Sequence, residues 1–244
     1  MRTDYNASGF AQRYGRARAL PASTLTLWSG TLAAAIPASD VEIVLDAGAG
    51  VGRFWPAIFA AWHPTAILGM DTSEAMLRLA PLMPCVRVVV GEVDAVPLPS
   101  EHVDVAFCSM TLQYSDSPAM AVRELTRVVR PDGWLCVRSG TTTTLESFDF
   151  LPFFATAREA EYAAMPTLAE VESWLLGAGL TLEKIETVST APRSRIEAFR
   201  AVFLRGFPSL QLVPRRELYI GLTRYALWLS LGAIRGRPRD PPIR

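Results

Sequence analysis

One stretch confines the fold more than any other: an apolar run that ends in an acid and then meets three glycines at alternate positions. It reads Val44-Leu45-Asp46-Ala47-Gly48-Ala49-Gly50-Val51-Gly52-Arg53-Phe54. Glycines at this spacing let the backbone turn sharply and lie against a ligand where a Cβ would collide. The helix expected next offers unpaired N–H groups and a positive dipole end to an anionic group. Strand, glycine turn and helix together make a nucleotide-type corner at the carboxyl edge of a parallel sheet.

Elsewhere short apolar runs alternate with helical periodicity. Helices are expected over 5–20, 24–35 (stopping near Pro37), 52–61, 72–80, 119–129, 166–177 and, with breaks near Pro208 and Pro214, 196–234. Strands are expected over 41–45, 66–70, 86–90, 103–108, 134–138 and 182–187, with Arg130-Pro131-Asp132-Gly133 as a turn and Thr72 or Ser73 as a helix cap. The run 86–90 is β-branched but for Arg87, and a strand buried on both faces is expected there. The stretch 141–152 is Thr- and Phe-rich without clear period, and the proline-rich tail 235–244 is expected to lie loose. Strands separated by helices argue for an α/β, Rossmann-like, doubly wound and mostly parallel sheet. N-terminal helices precede it, and a helical cap is inserted late in the chain.

Composition narrows the function classes. The chain has 244 residues, half of them hydrophobic, so a large core is expected rather than disorder. The formal net charge is zero and Lys184 is the sole lysine, so there is no electrostatic footprint for nucleic acid or an anionic membrane. Cys85, Cys108 and Cys136 lack zinc-type or redox-type spacing and read as reduced core thiols; no metal site is expected. Met1-Arg2-Thr3-Asp4 lacks the apolar core of a signal peptide. The apolar run Tyr225 to Ile234 is shorter than the roughly 20 residues of a membrane span. A cytoplasmic protein, monomer or homodimer, is expected.

Four landmarks in order carry a resemblance to a known family. They are Val44–Phe54; Gly69-Met70-Asp71-Thr72-Ser73-Glu74-Ala75-Met76-Leu77; Gly91-Glu92-Val93-Asp94-Ala95-Val96-Pro97-Leu98-Pro99; and Glu124-Leu125-Thr126-Arg127-Val128-Val129-Arg130-Pro131-Asp132-Gly133. Over residues 5–188 the chain resembles class I S-adenosylmethionine-dependent methyltransferases, especially the group with ubiquinone/menaquinone-type and natural-product enzymes. The resemblance implies S-adenosyl-L-methionine as cofactor, S-adenosyl-L-homocysteine as product and a small-molecule acceptor. It divides the chain into a helical lid (1–40), a cofactor-binding core (41–190, with a cap insertion at 141–165) and a helical acceptor cap with tail (191–244).

Site roles follow from the same resemblance. Ala47, Gly48, Ala49 and Gly50 would lie under the methionine part, with Asp46 hydrogen-bonding its amino-acid end. Asp71, about 20 residues beyond the turn, would accept both ribose hydroxyls, as in dinucleotide enzymes, with Thr72 beside it. Met76 would flank adenine, Glu92 would take the adenine amino group, and the Val93 N–H would meet a ring nitrogen. The family more often has Asp at the position of Glu92. Cys108 and Ser109 would lie beneath the sulfonium, and Tyr14 and Arg18 would close over the methionine carboxylate. The nicotinamide fingerprint Gly-x-Gly-x-x-Gly is broken, because its sixth position is Arg53.

The acceptor side is less constrained. A general base is needed only for an acceptor still protonated at neutral pH. His63 and His102 read as surface turn residues. Gln113 and Tyr114 occupy the segment where related proteins often carry a His and an aromatic, and are the catalytic candidates; packing is the other reading of Tyr114. Met110, Phe150, Phe153 and Phe154 are candidates for an apolar acceptor pocket, or these rings only glue the cap together. The absence of an Asn/Asp-Pro-Pro-Tyr/Phe segment argues against methylation of adenine or amide nitrogen. The leading expectation is methyl transfer to a small hydrophobic or aromatic molecule in biosynthetic metabolism. Methylation of RNA or protein, or a binding protein or cyclase that keeps the fold without methylating, are the alternatives. The family sheet closes with a β-hairpin near the C-terminus, yet no β-rich run follows Ile234.

Overall fold

Five parallel strands form one sheet in the order β3-β2-β1-β4-β5. They are β1 (Ile43–Ala47), β2 (Ala66–Asp71), β3 (Val86–Val90), β4 (Val103–Ser109) and β5 (Val129–Arg138). This computed structural model describes residues 5–7, 9–36, 41–191 and 193–235; the expected stop near Pro37 and the tail from 236 onward lie outside them. The chain winds outward from β1 to β3, then crosses back to β4. The strand order therefore reverses beside β1, where open α/β sheets bind ligands.

The helices are α1 (Phe10–Arg18), α2 (Ala22–Ala35), α3 (Trp55–Trp62), α4 (Glu74–Leu77), α5 (Pro118–Val128), α6 (Ala155–Ala164), α7 (Leu168–Gly177), α8 (Arg195–Phe203) and α9 (Arg215–Arg235). They fall into two units. The sheet unit holds Leu20–Ser139 and Pro166–Ala191, and the helical unit holds Met1–Ala19, Gly140–Met165 and Pro192–Arg244.

Alternation along the central strands builds the two cores of the sheet unit. Val44, Val105 and Phe107 point to one face, against Trp28 and Leu32 of α2 and Trp55, Ile58 and Trp62 of α3. Leu45, Ala47, Ala106 and Cys108 point to the other, against Ala121, Val122, Leu125 and Val128 of α5 and Trp174 and Leu175 of α7. Strands covered on both faces read as continuous apolar runs, which is why β1 and β4 are visible in the sequence.

In the helical unit, Phe150, Phe154, Leu210 and Tyr225 are buried. Gly221 of α9 lets Phe154 approach, since a Cβ there would fall 2.4 Å from the ring. Ser209 donates to the buried Glu161 at 2.6 Å, and the Tyr225 hydroxyl donates to Asp149 at 2.9 Å.

Several expectations need correction. Residues 182–187 form no strand and are exposed. A strand requires a ladder partner, and among the described residues β5 pairs only with β4. Nor is β3 buried on both faces: it is the sheet edge, with Val88 and Val90 exposed by 53% and 54%. The expected turn 130–133 lies inside β5 as a bulge, because Val103 pairs with Val129 and Val105 already with Trp134. The expected helix 72–80 is the single turn α4, capped by Ser73, whose Oγ accepts from Met76 N, and not by Thr72. The helix expected over 5–20 spans Phe10–Arg18. The three thiols are free, Cys108 fully buried and the other two half-buried.

Candidate active site at the glycine turn

The carboxyl end of β1 leads straight into the glycine turn. Gly48 N and Ala49 N both donate to Met70 O, at 2.8 and 2.9 Å, which pins the turn to β2. Gly48 and Gly50 have φ of +79° and +57°, where a side chain is strained. A Cβ at Gly48 would fall 2.0 Å from Thr111 Oγ1, whereas a Cβ at Gly50 would meet nothing within 4 Å. The first glycine thus admits Thr111, whose hydroxyl lies 3.1 Å from Ser109 O and 3.3 Å from Ala47 O. The second leaves open space beside the turn.

Asp46 is 2% exposed, and its Oδ2 accepts from the indole N–H of Trp55 at 2.9 Å. Burial pushes its carboxyl up to about 7; the Trp55 hydrogen bond opposes the shift, nearby Asp71 adds to it and Arg53 opposes it. Trp55 also packs where Cβ atoms at Gly52 and Gly69 would clash, at 2.6 and 2.5 Å. No signal in the sequence announced this pairing beyond an acid followed nine residues later by a tryptophan.

Asp71 ends β2. Its Oδ2 accepts from Gly50 N and its Oδ1 from Ser73 N, both at 2.8 Å. Burial raises its pKa, opposed by the N–H groups of Ser73, Gly50 and Thr72. One carboxylate therefore spans the glycine turn and the start of α4. Thr72 is exposed beside it, and Met76 on α4 is buried.

The next two strands end on the same edge. Gly91 N donates to Asp71 O at 3.2 Å, which brings the segment with Glu92, exposed, and Val93, half-buried, beside the tip of β2. The fourth landmark clamps this segment. Arg127 forks onto Glu124 with two N–H···O contacts of 2.9 Å and donates to Leu98 O at 2.9 Å and Val96 O at 3.0 Å. Glu124 accepts from Val96 N at 3.1 Å.

At the tip of β4, Cys108 pairs with Ala47, and burial pushes its thiol up to about 12, so it stays protonated at neutral pH. Ser109 Oγ accepts from Arg138 at 3.2 Å. The Arg138 guanidinium lies 5.0 Å from the Trp28 ring centroid and 5.3 Å from that of Phe54. Met110 follows with φ +57°, an uncommon conformation for a bulky residue and the kind of strain that gathers at functional edges. Gln113 and Tyr114 are half-buried on the 3₁₀ turn Leu112–Tyr114. Sequence reasoning passed over Thr111, Trp55 and Arg138.

Both histidines sit at the opposite edge. His63 caps α3 ahead of β2, and His102 precedes β4. In a parallel sheet these are amino ends, away from the glycine turn.

The remaining candidates belong to the helical unit. Arg18 of α1 lies 4.6 Å from the Phe207 ring centroid, and Tyr14 packs its ring on Phe10. Phe150 and Phe154 are buried among that unit's rings, with Phe150 and Phe207 centroids 4.3 Å apart. Phe153 packs on Tyr225 and Trp228.

A glycine turn at the switch point of a parallel sheet, with a carboxylate at the tip of the next strand, is the arrangement of a Rossmann-like cofactor-binding domain. Residues 45–137 match a family described as a methyltransferase domain, and the chain thus carries a class I S-adenosylmethionine-dependent methyltransferase domain. A malonyl-[acyl-carrier protein] O-methyltransferase from Methylococcus capsulatus is 33% identical over 132 residues, 48% of each chain. The chain thus spans about half the length of this relative. A trans-aconitate 2-methyltransferase from Methylobacterium nodulans is 28% identical over 193 residues, 72% of this chain and 73% of that one. Among solved structures, a candidate methyltransferase of an antibiotic biosynthesis pathway from Anabaena variabilis superposes with a TM-score of 0.66. It shares 17% identity and covers 86% of both chains, a likeness of fold.

S-adenosylmethionine is the cofactor of this domain class, and the residues present fit it. Open space lies beside Gly50. Asp71 accepts from Gly50 N and Ser73 N, with the Thr72 N–H also directed at it, and a carboxylate has about four acceptor sites, so capacity for a ribose hydroxyl remains.

Proposed function

We propose that this protein transfers the methyl group of S-adenosylmethionine to a small hydrophobic or aromatic molecule of biosynthetic metabolism, in the cytoplasm. The observation that carries the cofactor half is Asp71, bonded to the glycine turn on one side and to α4 on the other, with its remaining lone pairs for the ribose. Bound there, the cofactor supplies an activated methyl group with its own leaving group. The chain's residues then bind, align and exclude water. Gly48, Ala49 and Gly50 lie along the methionyl part, Glu92 and Val93 take the adenine edge, and Cys108 and Ser109 form the floor at the β4 tip. Cys108, kept neutral by burial, lines that floor without competing as a nucleophile.

One observation favours a narrower reading of the acceptor. Both histidines stand at the amino edge of the sheet, so no imidazole serves as base at the turn. An acceptor that arrives already deprotonated, such as a carboxylate, needs none. The acceptor named for the Methylobacterium relative, trans-aconitate, is such an acid. Tyr114 and Gln113 then orient the acceptor by hydrogen bonding.

Incubation with methyl-labelled cofactor and a cell extract tests the proposal. Label in a low-mass product, hydrolysed by mild base if it is a carboxylate ester, is the expected result. Label confined to macromolecules would exclude it.

A further inference from the structure

The helical unit carries a cleft of about 320 Å³. Arg158 of α6 and Arg216, Ile220 and Arg224 of α9 line it, together with Phe153 and Glu217. Arg216, Ile220 and Arg224 recur at every fourth residue, so they share one helix face. The wall is therefore cationic at both ends of α9's contribution and apolar between them.

The charges in this cleft do not cancel. Glu217 is its one carboxylate, and each oxygen already accepts a hydrogen bond: Oε1 from Thr156 N at 2.9 Å and Oε2 from Thr156 Oγ1 at 2.6 Å. That pairing anchors the start of α6. None of Arg158, Arg216 and Arg224 forms an ion pair among the described residues. Three guanidiniums against one carboxylate leave a local charge of +2, in a chain whose formal net charge is zero.

We propose that this cleft binds a phosphate monoester carrying a short apolar group. A phosphate monoester bears roughly 1.5 to 2 negative charges at neutral pH, which matches the excess. Guanidinium forks match its oxygens bidentately. Phe153 and Ile220 take the apolar substituent, and the volume suits a small ligand, near the lower end of the roughly 300–1,000 Å³ of ordinary ligand sites.

Calorimetric titration of the full chain with hexyl phosphate at low salt tests this. The expected result is saturable one-to-one uptake, weaker for inorganic phosphate and absent for hexanol. Arg216→Gln and Arg224→Gln should each weaken uptake about tenfold, the loss of one charge-assisted contact. Ile220→Glu should abolish it. These side chains are exposed, so the variants keep the fold, and circular dichroism verifies that. Sedimentation with phosphatidylcholine vesicles containing phosphatidic acid separates the two sources of this chemistry. Retention lost in Arg224→Gln assigns a lipid headgroup, and soluble uptake without retention assigns a free phosphate ester. No saturable uptake of hexyl phosphate by the folded wild type, or wild-type affinity in both arginine variants, would overturn the proposal. The readout is uptake of the ester itself, so its outcome is separate from that of methyl transfer.

Discussion

The indole N–H of Trp55 donates to the carboxylate of Asp46 at 2.9 Å, and both side chains are buried at the head of the glycine turn. The same indole fills the space left by Gly52 and Gly69, so one side chain joins β1, the turn and β2. Trp55→Phe removes the donor while keeping an aromatic body. It should destabilise the protein by about 1–3 kcal/mol, the cost of leaving a buried acceptor unpaired. Denaturant unfolding monitored by circular dichroism measures this, and an unchanged midpoint would contradict it.

Asp46 also makes stability depend on pH with a definite sign. Its carboxyl is raised from 3.8 to about 7, so between those values the folded chain holds a proton that the unfolded chain has released. The folded state binds more protons there, and stability falls as pH rises through the window and levels off above about 7. At roughly 1.4 kcal/mol per pH unit, the loss between pH 5 and 7 is on the order of 3 kcal/mol. Asp71 and Glu161 shift the same way, so the comparison with Asp46→Asn isolates this group. The wild type should lose stability relative to Asp46→Asn over that interval; a constant difference would refute the assignment.

Gly48→Ala should cost about 2–5 kcal/mol, from strain at a positive φ and from overlap with Thr111. Adding Thr111→Ala removes the overlap but not the backbone strain, so the double variant should recover only part of the loss. Equal or greater instability in the double variant would show that the two residues do not compete for one space.

Much of the sheet unit is legible in the sequence, and the exceptions share a physical cause. β1 and β4 stand out because both faces of each are buried, and the glycine turn because φ of +79° and +57° favours glycine. The valines of 86–90 suggest an interior strand, but Arg87 among them is exposed, and strand order, a property of the whole sheet, makes it an edge. Residues 182–187 have strand-like composition, yet a strand exists only where a ladder partner is in reach. The bulge at 130–133 reads locally as a turn because proline and glycine do break the ladder there. The position of Asp71 at the tip of β2 is legible from its distance along the chain, whereas its bonds to Gly50 and Ser73 depend on how two loops meet. Glu124 and Arg127 were recognised as a motif without their task, which is to hold the 92–99 segment.

That task gives a further test. Arg127→Met removes the fork that holds Leu98 O and Val96 O. The pair is partly solvated, so global stability should change by less than about 1 kcal/mol. Amide exchange across 92–99 should nonetheless accelerate, with Val96 N most affected. Unaltered protection there would contradict the clamp.

The most direct measurement is calorimetric titration of S-adenosylhomocysteine into the folded protein and its Asp71→Asn variant. Asp71 Oδ2 accepts from Gly50 N of the turn and Oδ1 from Ser73 N, and in the proposed site the same carboxylate takes the ribose. Uptake of one molecule per chain by the wild type is expected, weakened about a hundredfold in Asp71→Asn by the loss of two charge-assisted hydrogen bonds. No uptake by well-folded wild type, or equal affinity in the variant, would contradict the assignment of this edge as the cofactor site.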